Sequence, residues 1–140
     1  MTKFHILAAI ASLAIASPAF AEGDIEKGEK TFKQCKSCHM IANGDEVLLK
    51  GGKTGPNLYG IVGRVMGSEE DFKYGSGLIA ANEAGIVWDE EAIAEYAGNP
   101  KDYLQEVTGD SGAKTKMTFK LKKGGEDVAA FLATMGPASE

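Results

Sequence analysis

Cysteine and histidine are nearly missing from this 140-residue chain: its only thiols are Cys35 and Cys38, and its only imidazoles are His5 and His39. A four-ligand zinc site would therefore have to recruit carboxylates, and the β-α-β context that accompanies thioredoxin-like dithiol exchange is not evident. Strands of convincing alternation are lacking too, as are internal repeats, low-complexity tracts and interdomain linkers, so the chain reads as one all-helical domain. No apolar run is long enough to span a membrane. The single apolar stretch, Phe4 to about Ala16, falls well short of the ~20 residues a spanning helix requires. It follows the basic Lys3 and precedes Ser17-Pro18 and Ala19-Phe20-Ala21, an A-x-A pattern. Residues 1–21 are therefore expected to be a secretory signal peptide cleaved after Ala21, with a retained anchor as the alternative, and residues 22–140 the mature domain. Cleavage would remove one lysine and no acid, leaving fourteen basic residues against twenty acidic ones and moving the net charge from -5 to -6. The mature protein is expected to be a monomer that is not embedded in a membrane and binds no nucleic acid.

What the chain does have is Cys35-Lys36-Ser37-Cys38-His39, a C-x-x-C-H run. Two thiols at this spacing on a helical turn can each add to a vinyl group of one haem, leaving the next residue's imidazole beneath the iron. One haem c, attached through two thioether bonds, is the reading, with a structural or redox disulfide as the alternative. Export fits, because bacteria make these thioether bonds on the outer side of the inner membrane. A domain this small buries only a modest core by itself, so an apolar cofactor would form an integral part of it.

Along the mature chain, Asp24 is a candidate N-cap, after which Ile25, Gly28, Phe32 and Cys35 fall near one helical face. Residues 40–54 read as loop, with Asn43-Gly44-Asp45 and Gly51-Gly52 as turn signals, and Gly55-Pro56-Asn57 closes it. Phe72 to Gly77 reads as another loop, and a short helix is expected over Leu78 to Ala84. Asp89 is the N-cap of a helix with Glu90 and Glu91 in its first turn, Ile93 and Tyr96 inward and Gly98 as its stop. Asn99-Pro100 reads as N-cap and first position of a helix to about Val107. A loop from Thr108 to Gly125 leads to the last helix, Glu126 to Met135, whose stripe is Val128, Phe131, Leu132 and Met135. The first and last helices are expected to cross and clamp the cofactor, Gly28 letting their backbones approach. The other reading of Gly28 is a tolerated helix glycine costing about 1 kcal/mol.

The ordered set Cys35-Lys36-Ser37-Cys38-His39, Lys53-Thr54-Gly55-Pro56-Asn57-Leu58-Tyr59-Gly60, Gly63-Arg64, Trp88, Glu95-Tyr96, Asn99-Pro100 and Lys114-Thr115-Lys116-Met117-Thr118-Phe119 resembles class I cytochrome c. Within that family it resembles the long-loop, c-two type of purple bacteria and their relatives, over almost all of residues 24–136. The resemblance implies a cytochrome c fold, with helices and loops wrapped around one haem. It implies that Met117 is the second axial ligand opposite His39, a soft thioether that favours ferrous iron. Spacing alone leaves Met66 in contention, while Met135 reads as core filler. Pro56 matches the residue whose carbonyl accepts the other imidazole N–H. Arg64, Tyr74 and Trp88 match the propionate side, where buried carboxylates need donors, although Trp88 could instead be plain core. Asn82, Tyr96 and Thr115 match positions near the methionine-side pocket.

An iron with two protein ligands has no vacant position for substrate, so electron carriage rather than enzyme catalysis is expected. The resemblance implies a periplasmic carrier between the quinol-oxidising cytochrome complex and a photosynthetic reaction centre, a cytochrome oxidase, or both. The alternatives are a ligand sensor or enzyme in which Met117 leaves the iron, and an electron-donating subunit of a larger periplasmic enzyme. Lys114, Lys116, Lys120, Lys122 and Lys123 form an acid-free run around Met117. They are expected to dock an acidic partner there, the plainer reading being that they keep a loop soluble.

Overall fold

In the computed structural model, which describes residues 22–136, five short helices and one small hairpin surround a cavity. They are α1 (Ile25–Phe32), β1 (Ile41–Asn43), β2 (Glu46–Leu49), α2 (Ser76–Glu83), α3 (Glu90–Gly98), α4 (Pro100–Thr108) and α5 (Gly125–Ala133). The expected signal peptide and its cleavage point lie outside the described residues. Among the described residues no helix is long and apolar enough to cross a membrane.

α1 begins where Asp24 accepts the Lys27 N–H at 3.0 Å, a side-chain cap that satisfies one of the free first-turn donors. The Asp24 N–H also donates to Asp127 Oδ1 at 2.7 Å, tying the start of α1 to the first turn of α5. The two helices cross at Gly28. A Cβ there would meet the Asp127 backbone and come within 2.7 Å of Phe131 Cβ, so the glycine is required by close approach and is not merely tolerated. Beside this crossing the rings of Phe32 and Phe131 pack at 5.5 Å. Phe32, Phe131, Val128 and Leu132 are all buried, as the helical spacing implied.

α3 packs against α5, and α4 packs against α2 and α3. Asp89 caps α3 by accepting the Ala92 N–H at 2.7 Å. Asn99 precedes Pro100 at the start of α4 as expected, and its carbonyl accepts the Tyr103 N–H at 3.1 Å. Its side chain makes no cap and donates to the Asp102 carboxylate. α4 closes on Gly109, whose φ of 66° is the left-handed conformation a C-terminal glycine supplies.

The hairpin departs from the all-loop reading of residues 40–54. β1 and β2 pair antiparallel, Ala42 opposite Val47 and Asn43 opposite Glu46, around a two-residue connection in which Gly44 has φ 59°. Strand alternation is weak because β1 buries both Ile41 and Ala42, while Val47 and Leu48 of β2 are exposed. Helix limits also move by a residue or two: α2 starts at Ser76 and α5 at Gly125. The buried set that ties these elements together includes Phe32, Ile41, Met66, Leu104 and Phe131. No charged side chain among the described residues is buried.

Candidate cofactor site

The elements leave a cavity of about 350 Å³ whose wall is mostly apolar and includes no aspartate or glutamate. Cys35, Cys38 and His39 contribute to it from the turns that follow α1. No carboxylate joins these three as a four-ligand metal set, so the zinc reading has no structural basis among the described residues. Burial, and then the neighbouring Cys38 thiol, push the Cys35 thiol up to about 11. A thiol held protonated in this way is a poor dithiol-exchange nucleophile.

His39 is fixed from two sides. Its Nδ1–H donates to the Pro56 carbonyl at 2.8 Å, leaving Nε2 as the nitrogen with a free lone pair. Gly55 lies against the ring, where a Cβ would come within 2.7 Å of Nδ1 and 2.8 Å of Nε2. Burial lowers the imidazole pKa and the Pro56 carbonyl partly offsets this, so the ring is held neutral, the form in which histidine binds metals. Gly51 and Gly52 serve the same wall. Read from the sequence as turn signals, they have no positive φ; they permit the backbone to pass close to Lys36, Ser37 and His39.

At another part of the wall stand Arg64, Tyr74 and Trp88. The Arg64 guanidinium donates to the Asn57 carbonyl at 2.9 Å, the Tyr59 carbonyl at 3.3 Å and Glu69 Oε2 at 3.1 Å. Tyr74 Oη accepts the Glu69 N–H at 3.2 Å, so its own proton remains free to donate. Burial raises the Tyr74 pKa and keeps the hydroxyl a donor. The Trp88 ring is buried and packs edge-on against Tyr96 at 5.0 Å, so it serves the core and the cavity at once.

Met117 reaches the wall from the long connection between α4 and α5, with Lys116, Thr118 and Phe119 beside it. Its N–H donates to Thr115 Oγ1 at 3.1 Å, and that hydroxyl pairs with Tyr96 Oη at 3.2 Å. Thr115 thus stands behind the wall and holds Met117 through the main chain. Asn82 does not line the cavity and donates to the Met66 carbonyl at 2.9 Å, next to the lining residue Gly67. Met66 itself is fully buried and Met135 partly buried against the core, and neither lines the cavity. Several wall residues were not named as site residues from the sequence, among them Leu58, Ile61, Phe72, Leu78 and Leu132. Leu58 stood within the family motif and Leu132 within the α5 stripe, while Ile61 carried no signal. Glu69 was not singled out either, since nothing in the sequence connects it to Arg64.

A flat, largely apolar group with two carboxylates fits this set. The apolar wall suits its body, two thiols and one neutral imidazole stand together, a thioether is present, and three residues with hydrogen-bond donors gather at Arg64, Tyr74 and Trp88. No family model matches the chain. Relatives do. Cytochrome c-551 of Roseobacter denitrificans is 54% identical over 125 residues, covering 89% of each chain. Cytochrome c2 of Rhodobacter capsulatus is 52% identical over 129 residues, 91% of this chain and 93% of that one. The X-ray structure of ferric cytochrome c-550 from Paracoccus versutus superposes with a TM-score of 0.78 at 55% identity, covering 83% of this chain and 100% of that one.

Proposed function

The chain belongs to the class I cytochromes c of the c2 and c-550 type and carries a single covalently bound haem c, and from that premise we propose that it is a periplasmic one-electron carrier, not an enzyme. Its donor is the quinol-oxidising cytochrome complex, and its acceptor a photosynthetic reaction centre, a cytochrome oxidase, or both. It works as a monomer. The apolar stretch and A-x-A pattern of residues 1–21 support export, and the C-x-x-C-H run supports assembly outside the inner membrane.

Cys35 and Cys38, the only thiols in the chain, make the two thioether links. When bound, haem c supplies a reversible one-electron change between ferric and ferrous iron. His39 offers Nε2 because Pro56 engages Nδ1, and Gly55 against the ring prevents it from turning. Met117 offers a soft sulfur from the other chain segment, which favours the ferrous state and raises the potential. With His39 and Met117 both available as ligands, this chain would keep small molecules off the iron, and its ligands would not need to change between oxidation states. Arg64, Tyr74 and Trp88 direct donors to the cofactor's carboxylates. Tyr96 and Thr115 hold the Met117 backbone.

The observation that carries this reading is that a neutral, oriented imidazole, two thiols and the Met117 thioether share one cavity whose wall has no carboxylate. The decisive experiment is on the holoprotein. Met117→Ala should open the sixth coordination position, lower the potential and admit cyanide or carbon monoxide, while Met66→Leu and Met135→Leu should do none of these. That phenotype from Met66→Leu alone would overturn the assignment. A colourless band on a haem-stained denaturing gel of matured protein would overturn covalent attachment.

A further inference from the structure

Arg64 is not a free cation. Its guanidinium lies 3.1 Å from Glu69 Oε2, with side-chain exposures of 21% for Arg64 and 33% for Glu69. Arg64 lines the cavity and Glu69 does not, so the carboxylate meets the cation without itself contributing to the wall. Its placement is specific. The Glu69 N–H donates to the Tyr74 hydroxyl, so one residue engages two of the three wall donors, Arg64 through its side chain and Tyr74 through its backbone. The remaining Arg64 bonds go to neutral carbonyls, those of Asn57 and Tyr59. Among the described residues the only other ion pair is the exposed Lys27–Asp24 contact on α1.

We propose that Glu69 is a potential-setting residue, holding Arg64 in place while cancelling part of its positive charge at the cofactor's carboxylate edge. The ferric state carries one more positive charge than the ferrous state. An unopposed arginine at the wall favours the ferrous state, and a carboxylate paired with that arginine moves the balance back toward ferric. Because the pair is mostly withdrawn from solvent, counterions screen it less than they screen an exposed charge. Glu69 thereby lowers the potential that Met117 and Arg64 would otherwise set, and the Tyr74 bond keeps it in register with the wall. The inference rests on the reading that Arg64 faces the cofactor's carboxylates.

The test is spectroelectrochemical titration of the holoprotein at low salt and at about 1 M salt, where the screening length is about 3 Å. Glu69→Gln should shift the ferric/ferrous balance threefold to tenfold toward ferrous, tenfold being 59 mV for one electron. The shift should survive at high salt, and Glu69→Asp should restore much of the wild-type value. Glu69→Ser removes the same charge without a bulky amide and is measured alongside, so the result does not depend on one variant folding. Glu70→Gln removes an exposed neighbouring carboxylate, and its smaller shift should disappear at high salt. Equal shifts from Glu69→Gln and Glu70→Gln, or none from Glu69→Gln and Glu69→Ser, would overturn the proposal. Arg64→Gln separates the two levels. If it lowers the potential while the Glu69 variants do nothing, only the role of Glu69 fails; if Arg64→Gln also does nothing, the facing of Arg64 toward the cofactor fails with it.

Discussion

The two walls that present His39 and Met117 are built by different means. On the histidine side the chain folds onto itself within about twenty residues: Gly51 and Gly52 press their backbone on residues 36–39, Gly55 meets the ring, and Pro56 takes its N–H. There is no room for a side chain at these glycines, so the wall is all-or-none. On the methionine side, residues 109–124 contain no helix or strand. They are held by separate bonds to distant elements: the Gly77 N–H to the Lys114 carbonyl at 2.9 Å, the Lys114 N–H to Ser76 Oγ at 3.1 Å, the Leu121 N–H to the Ala97 carbonyl at 2.7 Å, and Tyr96 to Thr115 at 3.2 Å. Each is worth about 1 kcal/mol net and can be lost singly. The histidine wall should therefore fail abruptly, and the methionine wall by degrees.

The largest effect should come from breaking the first half of that contrast. Gly55→Ala inserts a Cβ into the imidazole, whose Nδ1 is already held by the Pro56 carbonyl. A cost of about 3 kcal/mol is expected, as for overpacking at a rigid site. Denaturant unfolding and the yield of haem-stained protein measure it. A wild-type midpoint for Gly55→Ala would mean that the histidine wall yields, and the contrast would be wrong.

A second effect, of intermediate size, comes from pH. Burial first, and then the carboxylates of Asp89, Glu95, Glu106 and Glu91, push the Tyr103 hydroxyl up to about 12; burial likewise raises Tyr96, although the Thr115 bond partly offsets it. A group whose folded pKa lies above its unfolded value contributes stability that is fully present below the unfolded value, about 10 for tyrosine, and is lost as pH rises through the folded value. Unfolding free energy should therefore fall above about pH 10, by on the order of 2 kcal/mol for Tyr103 once both values are passed. Tyr103→Phe should flatten this alkaline limb in chemical denaturation series. An unchanged limb would show that the buried rings already ionise as freely as in the unfolded chain.

The corresponding single-bond test on the methionine side is Tyr96→Phe. The ring keeps its packing on Trp88 at 5.0 Å and Tyr103 at 6.0 Å, and only the bond to Thr115 is lost. Stability should drop by about 1 kcal/mol. Binding of added imidazole to the ferric protein should rise several-fold, because the segment carrying Met117 opens more often. A stability loss with unchanged imidazole affinity would show that Tyr96 supports the core and not the loop.

This contrast also explains what was legible in the sequence. The histidine wall is coded locally, so Cys35, Cys38 and His39 could be read from the spacing of a short motif, and Pro56 came through the family resemblance. The crossing of α1 and α5 was legible for the same kind of reason: an apolar stripe on each helix and a glycine where they meet. The hairpin was not, because its Asn43-Gly44 turn signal stood without flanking alternation, β1 burying consecutive residues and β2 exposing Val47 and Leu48. The methionine wall depends on contacts far apart in the chain. Nothing in a single sequence says that Thr115 pairs with Tyr96 or that Arg64 shares its charge with Glu69. Asn82 was matched to the pocket through a loosely aligned loop, and its side chain goes to the Met66 carbonyl.

The smallest effect concerns encounter, and it sharpens the contrast by asking whether the softer wall is also the one that meets partners. Lys114, Lys116, Lys120, Lys122 and Lys123 are all exposed on the segment that carries Met117. They are not equivalent. Lys116 lines the cavity and its Nζ donates to the Lys73 carbonyl, which fixes the charge at the rim. Lys122 and Lys123 instead share a groove of about 390 Å³ with Glu91, Glu95 and Glu126, where nearby carboxylates reduce the net field. A partner steered by charge should sense the rim more than the groove, and the attraction should weaken as the screening length contracts to about 8 Å at physiological salt. Lys116→Glu and Lys120→Glu should therefore slow bimolecular electron transfer with isolated membranes several-fold at low salt and flatten its salt dependence, with the absorption spectrum unchanged. Lys122→Glu should do so less. Equal effects for all three would assign the steering to net charge, and no effect from Lys116→Glu or Lys120→Glu would move the docking surface to the acidic face around Glu90, Glu91, Asp102 and Glu106.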